Sequence, residues 1–199
     1  MKSWPTGLWG YLFWFVIGCW VLFFLTFVLR KKAPQAKEAK SAPVSRIGII
    51  LQGCAFAIVW AIRRVPSNSA IISVHPVVDW LLVMLTVVFS AGSVWMVLSA
   101  VRALGKQWSV AARLVEGHEL VTAGPYQIIR NPIYAGMFGM MIATGLVLSH
   151  WTALVCAMAI FLVGTIIRIR AEEKLLREAF GAKFDEYTQR VSALIPGVY

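Results

Sequence analysis

Arg168 and Glu172 stand four residues apart, a spacing that puts both on one face of a helix. Upstream, the stretch GPYQIIRNPIYAG at positions 124–136 holds Arg130, Asn131, two prolines and two tyrosines. Arg130, Arg168 and Glu172 together offer two guanidinium groups and a carboxylate. A zwitterionic amino acid moiety carries the complementary pair: Arg can grip its carboxylate bidentately, and Glu can accept from its ammonium. Glu173 adds a second candidate carboxylate, although Glu173 and Arg170 fall on other faces of the helix. Pro125 and Pro132 stiffen the upstream stretch, and Gly124 permits a sharp turn into it. Tyr126 and Tyr134 supply aromatic faces with polar tips, and such faces attract a cation. A cationic cofactor suits this set. The same tyrosines serve equally well as an interfacial belt capping a membrane helix.

The elements that must position these residues are apolar. Of 199 residues, 59% are hydrophobic and only 14% charged, and several runs reach the length that crosses a hydrocarbon core of about 30 Å. The expected fold is all-α: an integral membrane protein with about five transmembrane helices, plus a cytoplasmic C-terminal helix. The runs are Leu8–Leu29, Ile47–Ile62, Val77–Val101, Ile133–Leu148 and Thr152–Ile167. The last two are at the short end for a span. They form a helical hairpin, because Ser149, His150 and Trp151 are the only polar break between them. Gly139 with Ala143, and Ala153 with Ala157, place small residues four apart on each arm, which lets helix backbones approach closely. Such a hairpin brings the 124–136 stretch against Arg168 and Glu172. Ionisable groups at a membrane boundary, facing a second polar cluster, mark a functional site. Arg170, Lys174 and Arg177 read instead as a juxtamembrane anchor leading into a solvated helix.

Two regions follow: residues 1–101, membrane helices with a basic linker at 30–46, and residues 102–199, which carry the candidate site. The net charge of +10 is distributed as a membrane protein distributes it, and it argues against nucleic-acid binding. With the N-terminus outside, every Lys and Arg except Lys2, Arg63 and Arg64 faces the cytoplasm, the bias that sets orientation. The first run is too long for a signal-peptide core and is followed by basic residues, so it reads as a retained anchor. Cys19, Cys54 and Cys156 each lie in an apolar run without a second Cys or a His at ligand spacing. They read as small buried residues, with no disulfide framework and no metal site.

GHELVTAGPYQIIRNPIYAG at 117–136, a helical hairpin, then RIRAEEKLLREAFGAKFDEYTQRVSALIP at 168–196 resembles the isoprenylcysteine carboxyl methyltransferase family and the related phospholipid methyltransferases. The ordered combination of Gly-Pro-Tyr, Arg-x-Pro-x-Tyr, hairpin, Glu-Glu and Phe-Gly carries the resemblance, over roughly residues 102–197. It implies a membrane methyltransferase using S-adenosylmethionine bound from the cytoplasmic side, acting on a membrane lipid or lipophilic small-molecule acceptor. It implies cofactor contacts at His118, Glu119, Leu120, Val121, Tyr126, Asn131, Pro132, Ile133, Tyr134 and Glu172, and it puts Arg168 near the acceptor. Asn131 departs from the family, which commonly has His there; Asn keeps hydrogen-bonding capacity but does not titrate near neutrality. A carboxylate acceptor needs no general base, whereas an amine or thiol must lose a proton, to Glu172 or to water. Phospholipid N-methylation is the nearest alternative. An NADPH-dependent membrane reductase shares the Arg-x-Pro-x-Tyr element, and its phosphates would call on Arg102, Lys106 and Arg113. A transport or assembly protein would use the hairpin for packing alone.

Overall fold

Each expected apolar run is a helix. The computed structural model describes residues 7–29, 38–41, 44–64, 75–105, 113–115 and 120–197. Helix α1 is Gly7–Val28, α2 Ser45–Ala61, α3 Pro76–Leu104, α4 Pro132–Leu148, α5 Trp151–Phe180 and α6 Ala182–Arg190. Three of them, α1, α3 and α5, are long and apolar enough to cross a membrane. The two 17-residue helices α2 and α4 rise about 25 Å each at 1.5 Å per residue. Large side chains on the outer faces, such as Trp14, Trp80 and Trp95, are exposed, as expected where lipid rather than protein is the neighbour. Among the described residues one departure from all-α stands out: Glu38–Ser41 (β1) pairs antiparallel with Arg113–Val115 (β2). That short ladder ties the basic linker to the polar loop.

Consecutive helices run in opposite directions. One apolar cluster joins Trp9 of α1, Trp60 of α2, Leu82 of α3, and Val147 and Leu148 of α4. Another, at the other end, joins Phe23 and Phe27 of α1, Val97 and Val101 of α3, and Ile133 of α4. The hairpin forms as expected, but its small residues do a different job. Gly139 faces α3: a Cβ there would lie 2.5 Å from Ser93 Oγ. On α5, Gly164 faces α2, where a Cβ would lie 2.9 Å from Gly48 O, and Ala157 joins a cluster with Ala55 and Val59 of α2 and Met141 and Leu146 of α4. The closest helix approaches are therefore α3 with α4 and α2 with α5, not the two arms of the hairpin. A second departure concerns α5. The helix continues unbroken from the apolar run through Arg168 and Glu172 to Phe180, so the charged arm is rigidly coupled to the span. Gly181, at φ +51°, ends it and turns the chain into α6.

At the end of the bundle away from Arg168, Arg64 is buried against the C-terminus of α4. Its guanidinium donates to the carbonyls of Val147 (2.6 Å), Leu146 (3.1 Å) and Ser149 (3.2 Å) and lies over Trp9 at 5.6 Å. A cation belongs at a helix C-terminus, where unsatisfied carbonyls concentrate negative charge. Burial pulls Arg64 down to about 10, which leaves it protonated at neutral pH. Read from sequence, Arg64 is only an outside charge. In the fold it pins α1, α2 and α4 together. Of the three cysteines Cys19 is buried as expected, whereas Cys54 and Cys156 are exposed on the apolar exterior.

The α2–α5 crossing is tight enough to test. A Cβ on Gly164 would lie 2.9 Å from both Gly48 O and Leu51 Cβ, with backbone on one side that cannot yield. Gly164→Ala is expected to cost about 1–3 kcal/mol of stability by overpacking, read as a lower melting temperature in detergent. Gly53→Ala, with open space around it, is the control. Equal melting of the two variants would contradict the packing described.

Candidate active site

The 124–136 stretch is a short rigid path into α4. Gly124 takes φ +62°, then Gly124–Gln127 forms one 3-10 turn with Pro125 and Tyr126 buried. Pro132 occupies the first turn of α4, where its missing N–H costs nothing. This fixes Tyr134 on the face of α4 that meets α5. Its hydroxyl donates to Glu172 Oε1, and the Arg168 guanidinium lies 5.0 Å above its ring. Arg168 in turn pairs with Glu172 Oε1 at 3.3 Å. Three residues from two helices thus form one cluster, held from below by Ile169 in an apolar patch with Tyr134, Ala193 and Leu194.

Arg168 is only 7% exposed, and its further partner comes from the other half of the chain. Gln52 of α2 accepts from Arg168 Nη1 at 3.3 Å and donates to Thr165 Oγ1 at 2.8 Å. Sequence reading missed Gln52. The available signal was its isolation: it is the one strongly polar side chain between Arg46 and Arg63 in an otherwise apolar run.

The charges pair differently from the expected grouping. Arg130 is not in the Arg168–Glu172 cluster. It pairs with Glu173 at 2.8 Å through Nε and Nη2, so Glu173, expected on another face, is turned toward the 124–136 stretch. Nη1 of Arg130 donates to the carbonyls of Val191 and Thr188, and its backbone N–H donates to Ser192 O at 2.9 Å. Asn131 likewise donates to Ala193 O at 2.9 Å. Side chains read from sequence as ligand contacts therefore strap the C-terminal segment 188–194 beside the Tyr134 cluster, where Ala193 and Leu194 pack. Tyr187 reinforces the strap, its hydroxyl donating to Tyr126 O at 2.6 Å. Burial pushes the Tyr187 phenol up to about 12, opposed by Arg130 and assisted by Glu173. Burial raises Tyr126 further, so both phenols stay protonated at neutral pH.

Of the other candidates, Leu120 and Val121 are half-buried and lead into the 3-10 turn. Pro132 is buried, and the Ile133 side chain packs toward α1 and α3 rather than toward Glu172. His118 and Glu119 lie outside the described residues.

Fold and cluster together define an integral membrane protein of apolar helices with an Arg–Glu–Tyr cluster at one end of the bundle. A family model described as phospholipid methyltransferase matches residues 81–183, just over half of the chain. The chain belongs to that family. It is 34% identical over 89 residues to protein-S-isoprenylcysteine O-methyltransferase B of Arabidopsis thaliana, covering 45% of each protein. It is 39% identical over 79 residues to the protein-S-isoprenylcysteine O-methyltransferase of Saccharomyces cerevisiae, covering 40% of this chain and 33% of the relative. It is also 34% identical over 97 residues to the nickel-cobalt-cadmium resistance protein NccN of Alcaligenes xylosoxydans xylosoxydans, covering 47% of this chain and 44% of the relative. The matched segments thus span less than half the length of these curated relatives.

The strap gives a direct test. Arg130→Ala removes charge-assisted hydrogen bonds to the tail, worth about 1.5–3 kcal/mol, so detachment of segment 188–194 should become about ten- to a hundred-fold more frequent. Hydrogen exchange at the amide of residue 130, which is bonded to Ser192 O, reads that detachment. Unchanged exchange would mean the strap is held by other contacts.

Proposed function

We propose that this chain is a membrane-embedded methyltransferase that uses S-adenosylmethionine and methylates a lipophilic acceptor of the isoprenylcysteine kind. The observation that carries the reading is the buried Arg168–Glu172–Tyr134 cluster within the family-matched segment, where α4 begins and α5 leaves its apolar run. The donor set suits the cofactor. Both hydrogen bonds described for Glu172 fall on Oε1. Oε2 of this side chain, which is 25% exposed, remains to accept from an ammonium. The electron-rich face of Tyr126 suits a sulfonium, whereas that of Tyr134 already carries the Arg168 guanidinium. Arg130 takes a supporting role, holding the tail beside the cluster.

S-adenosylmethionine supplies an already activated methyl group, so alignment and exclusion of water provide most of the catalysis. Glu172 and Tyr134 hold the cofactor side. Arg168, one turn nearer the apolar run, holds the polar head of an acceptor that arrives through lipid. For an amine or thiol acceptor Glu172 is the nearest base; a carboxylate needs none. The names of the relatives favour methyl transfer over reduction. The family description keeps phospholipid N-methylation as the second reading.

Five membrane helices, with the N-terminus outside and both the 102–132 loop and the C-terminal arm in the cytoplasm, complete this reading. The site then lies in the region 102–199 and opens to the cytoplasm. Reporter fusions at positions 35 and 110 should report cytoplasm and a fusion at position 70 the outside; a cytoplasmic signal at 70 would overturn this topology.

Glu172→Gln should weaken binding of S-adenosylhomocysteine by roughly ten- to a hundred-fold, the loss of one charge-assisted hydrogen bond. Glu173→Gln, on the strap, should weaken it less. Unchanged affinity in folded Glu172→Gln would remove Glu172 from the cofactor site. Arg168→Lys and Arg168→Ala should both lower methyl transfer to a panel of a prenylcysteine analogue, phosphatidylethanolamine and an apolar thiol. Full activity in both would remove Arg168 from the acceptor side.

A further inference from the structure

α2 lies wholly outside the family-matched segment 81–183, yet it supplies a direct hydrogen bond to Arg168. Its face toward α5 carries Ser45, Gly48 and Gln52, all buried. Gly48 makes the contact possible: a Cβ there would lie 2.4 Å from Arg168 Cγ and 2.5 Å from Gly164 O. The aliphatic stem of Arg168 therefore lies directly across the α2 backbone. Its guanidinium then meets the Gln52 side-chain oxygen at 3.3 Å on one side and Glu172 Oε1 at 3.3 Å on the other. The amide of Gln52 is oriented by Thr165, which takes its N–H₂ at 2.8 Å and so turns the oxygen toward Arg168. Ser45, on the same face and nearer the start of α2, has a buried hydroxyl with no hydrogen-bond partner among the described residues.

We propose that Gln52 is a positioning residue for methyl transfer: anchored by Thr165, it fixes the Arg168 guanidinium against Glu172 and Tyr134, so that α2 forms one wall of the acceptor side. This rests on the reading of Arg168 as the acceptor-side residue. Planar guanidinium groups act through direction as well as charge. A long side chain leaving an apolar helix has several rotamers that satisfy its charge at the interface. Gly48 and Gln52 hold Arg168 in the one seen here. A displacement of about 1 Å at such a group costs on the order of a hundred-fold in rate. The competing role is helix glue, in which Gln52–Thr165 merely joins α2 to α5.

The two roles separate experimentally in the full chain reconstituted in lipid nanodiscs. The readouts are melting temperature, calorimetric binding of S-adenosylhomocysteine, and kcat and KM for whichever panel acceptor the unaltered protein uses. Gln52→Met keeps the length and removes both hydrogen bonds. It should bind S-adenosylhomocysteine within about threefold of the unaltered protein while kcat/KM for the acceptor falls by about ten- to a hundred-fold. Gln52→Glu keeps an oxygen facing Arg168 and should recover much of that loss. Thr165→Val, which removes the hydrogen bond that orients Gln52, should lower kcat/KM by an intermediate factor, and it tests the same chain if Gln52→Met does not fold. Unchanged kcat/KM in Gln52→Met or Thr165→Val, with lowered melting alone, would assign glue and overturn the proposal. An unaltered protein that neither binds S-adenosylhomocysteine nor transfers methyl would overturn the methyltransferase reading and this proposal with it. An active one with active Gln52 variants overturns only this proposal.

Discussion

A guanidinium buried among apolar helices must be compensated by polar partners, and the Arg168 end of this bundle is organised around that requirement. Placing an unpaired Arg within a membrane helix costs about 2.5–3.5 kcal/mol on insertion scales. Arg168 is compensated by a carboxylate on its own helix, a ring on α4 and an amide on α2. Three helices must hold register for those partners to coincide. The Gly48–Gly164 crossing sets one distance, and the proline-stiffened entry to α4 sets the other. The unbroken α5 then carries Glu172 and Glu173 outward on the same rigid rod.

The opposite end of the molecule uses the same residue type for a different purpose. Arg64 is surrounded by backbone carbonyls at the end of α4 and covered by Trp9. Every one of these partners is fixed framework, so Arg64 serves to lock helices. Arg168 instead faces a carboxylate with a quarter of its side chain accessible. The difference in partners, rather than in burial, distinguishes a structural arginine from one able to act on a ligand.

The helices were legible in the sequence because a bilayer demands long apolar runs, and little else produces them. The meeting of Tyr134 with Arg168 and Glu172 was legible because a tight Ser149–His150 turn leaves the hairpin arms little freedom. Which helices pack most closely was not, since Gly139 and Ala157 declare only that some neighbour comes near. The pairing of Arg130 with Glu173 was misread for a related reason. Helical spacing tells which residues share a face, but not how far a long side chain reaches across a gap. Gln52 and Arg64 lie distant in sequence from the groups they serve, and only the packing of α2 brings them in. The resemblance to methyltransferases rested on roughly residues 102–197, and the family match at 81–183 covers much of that segment.

Every role proposed for the Arg168–Glu172–Tyr134 end of the bundle depends on that end receiving the methyl donor. Ultraviolet cross-linking of radiolabelled S-adenosylmethionine to the purified protein, followed by peptide mapping, tests it most directly. Label is expected in the segment 120–134 or beside Glu172, and excess unlabelled S-adenosylhomocysteine should compete it away. Competable label confined to the Arg64 end, around residues 146–150, would contradict the account.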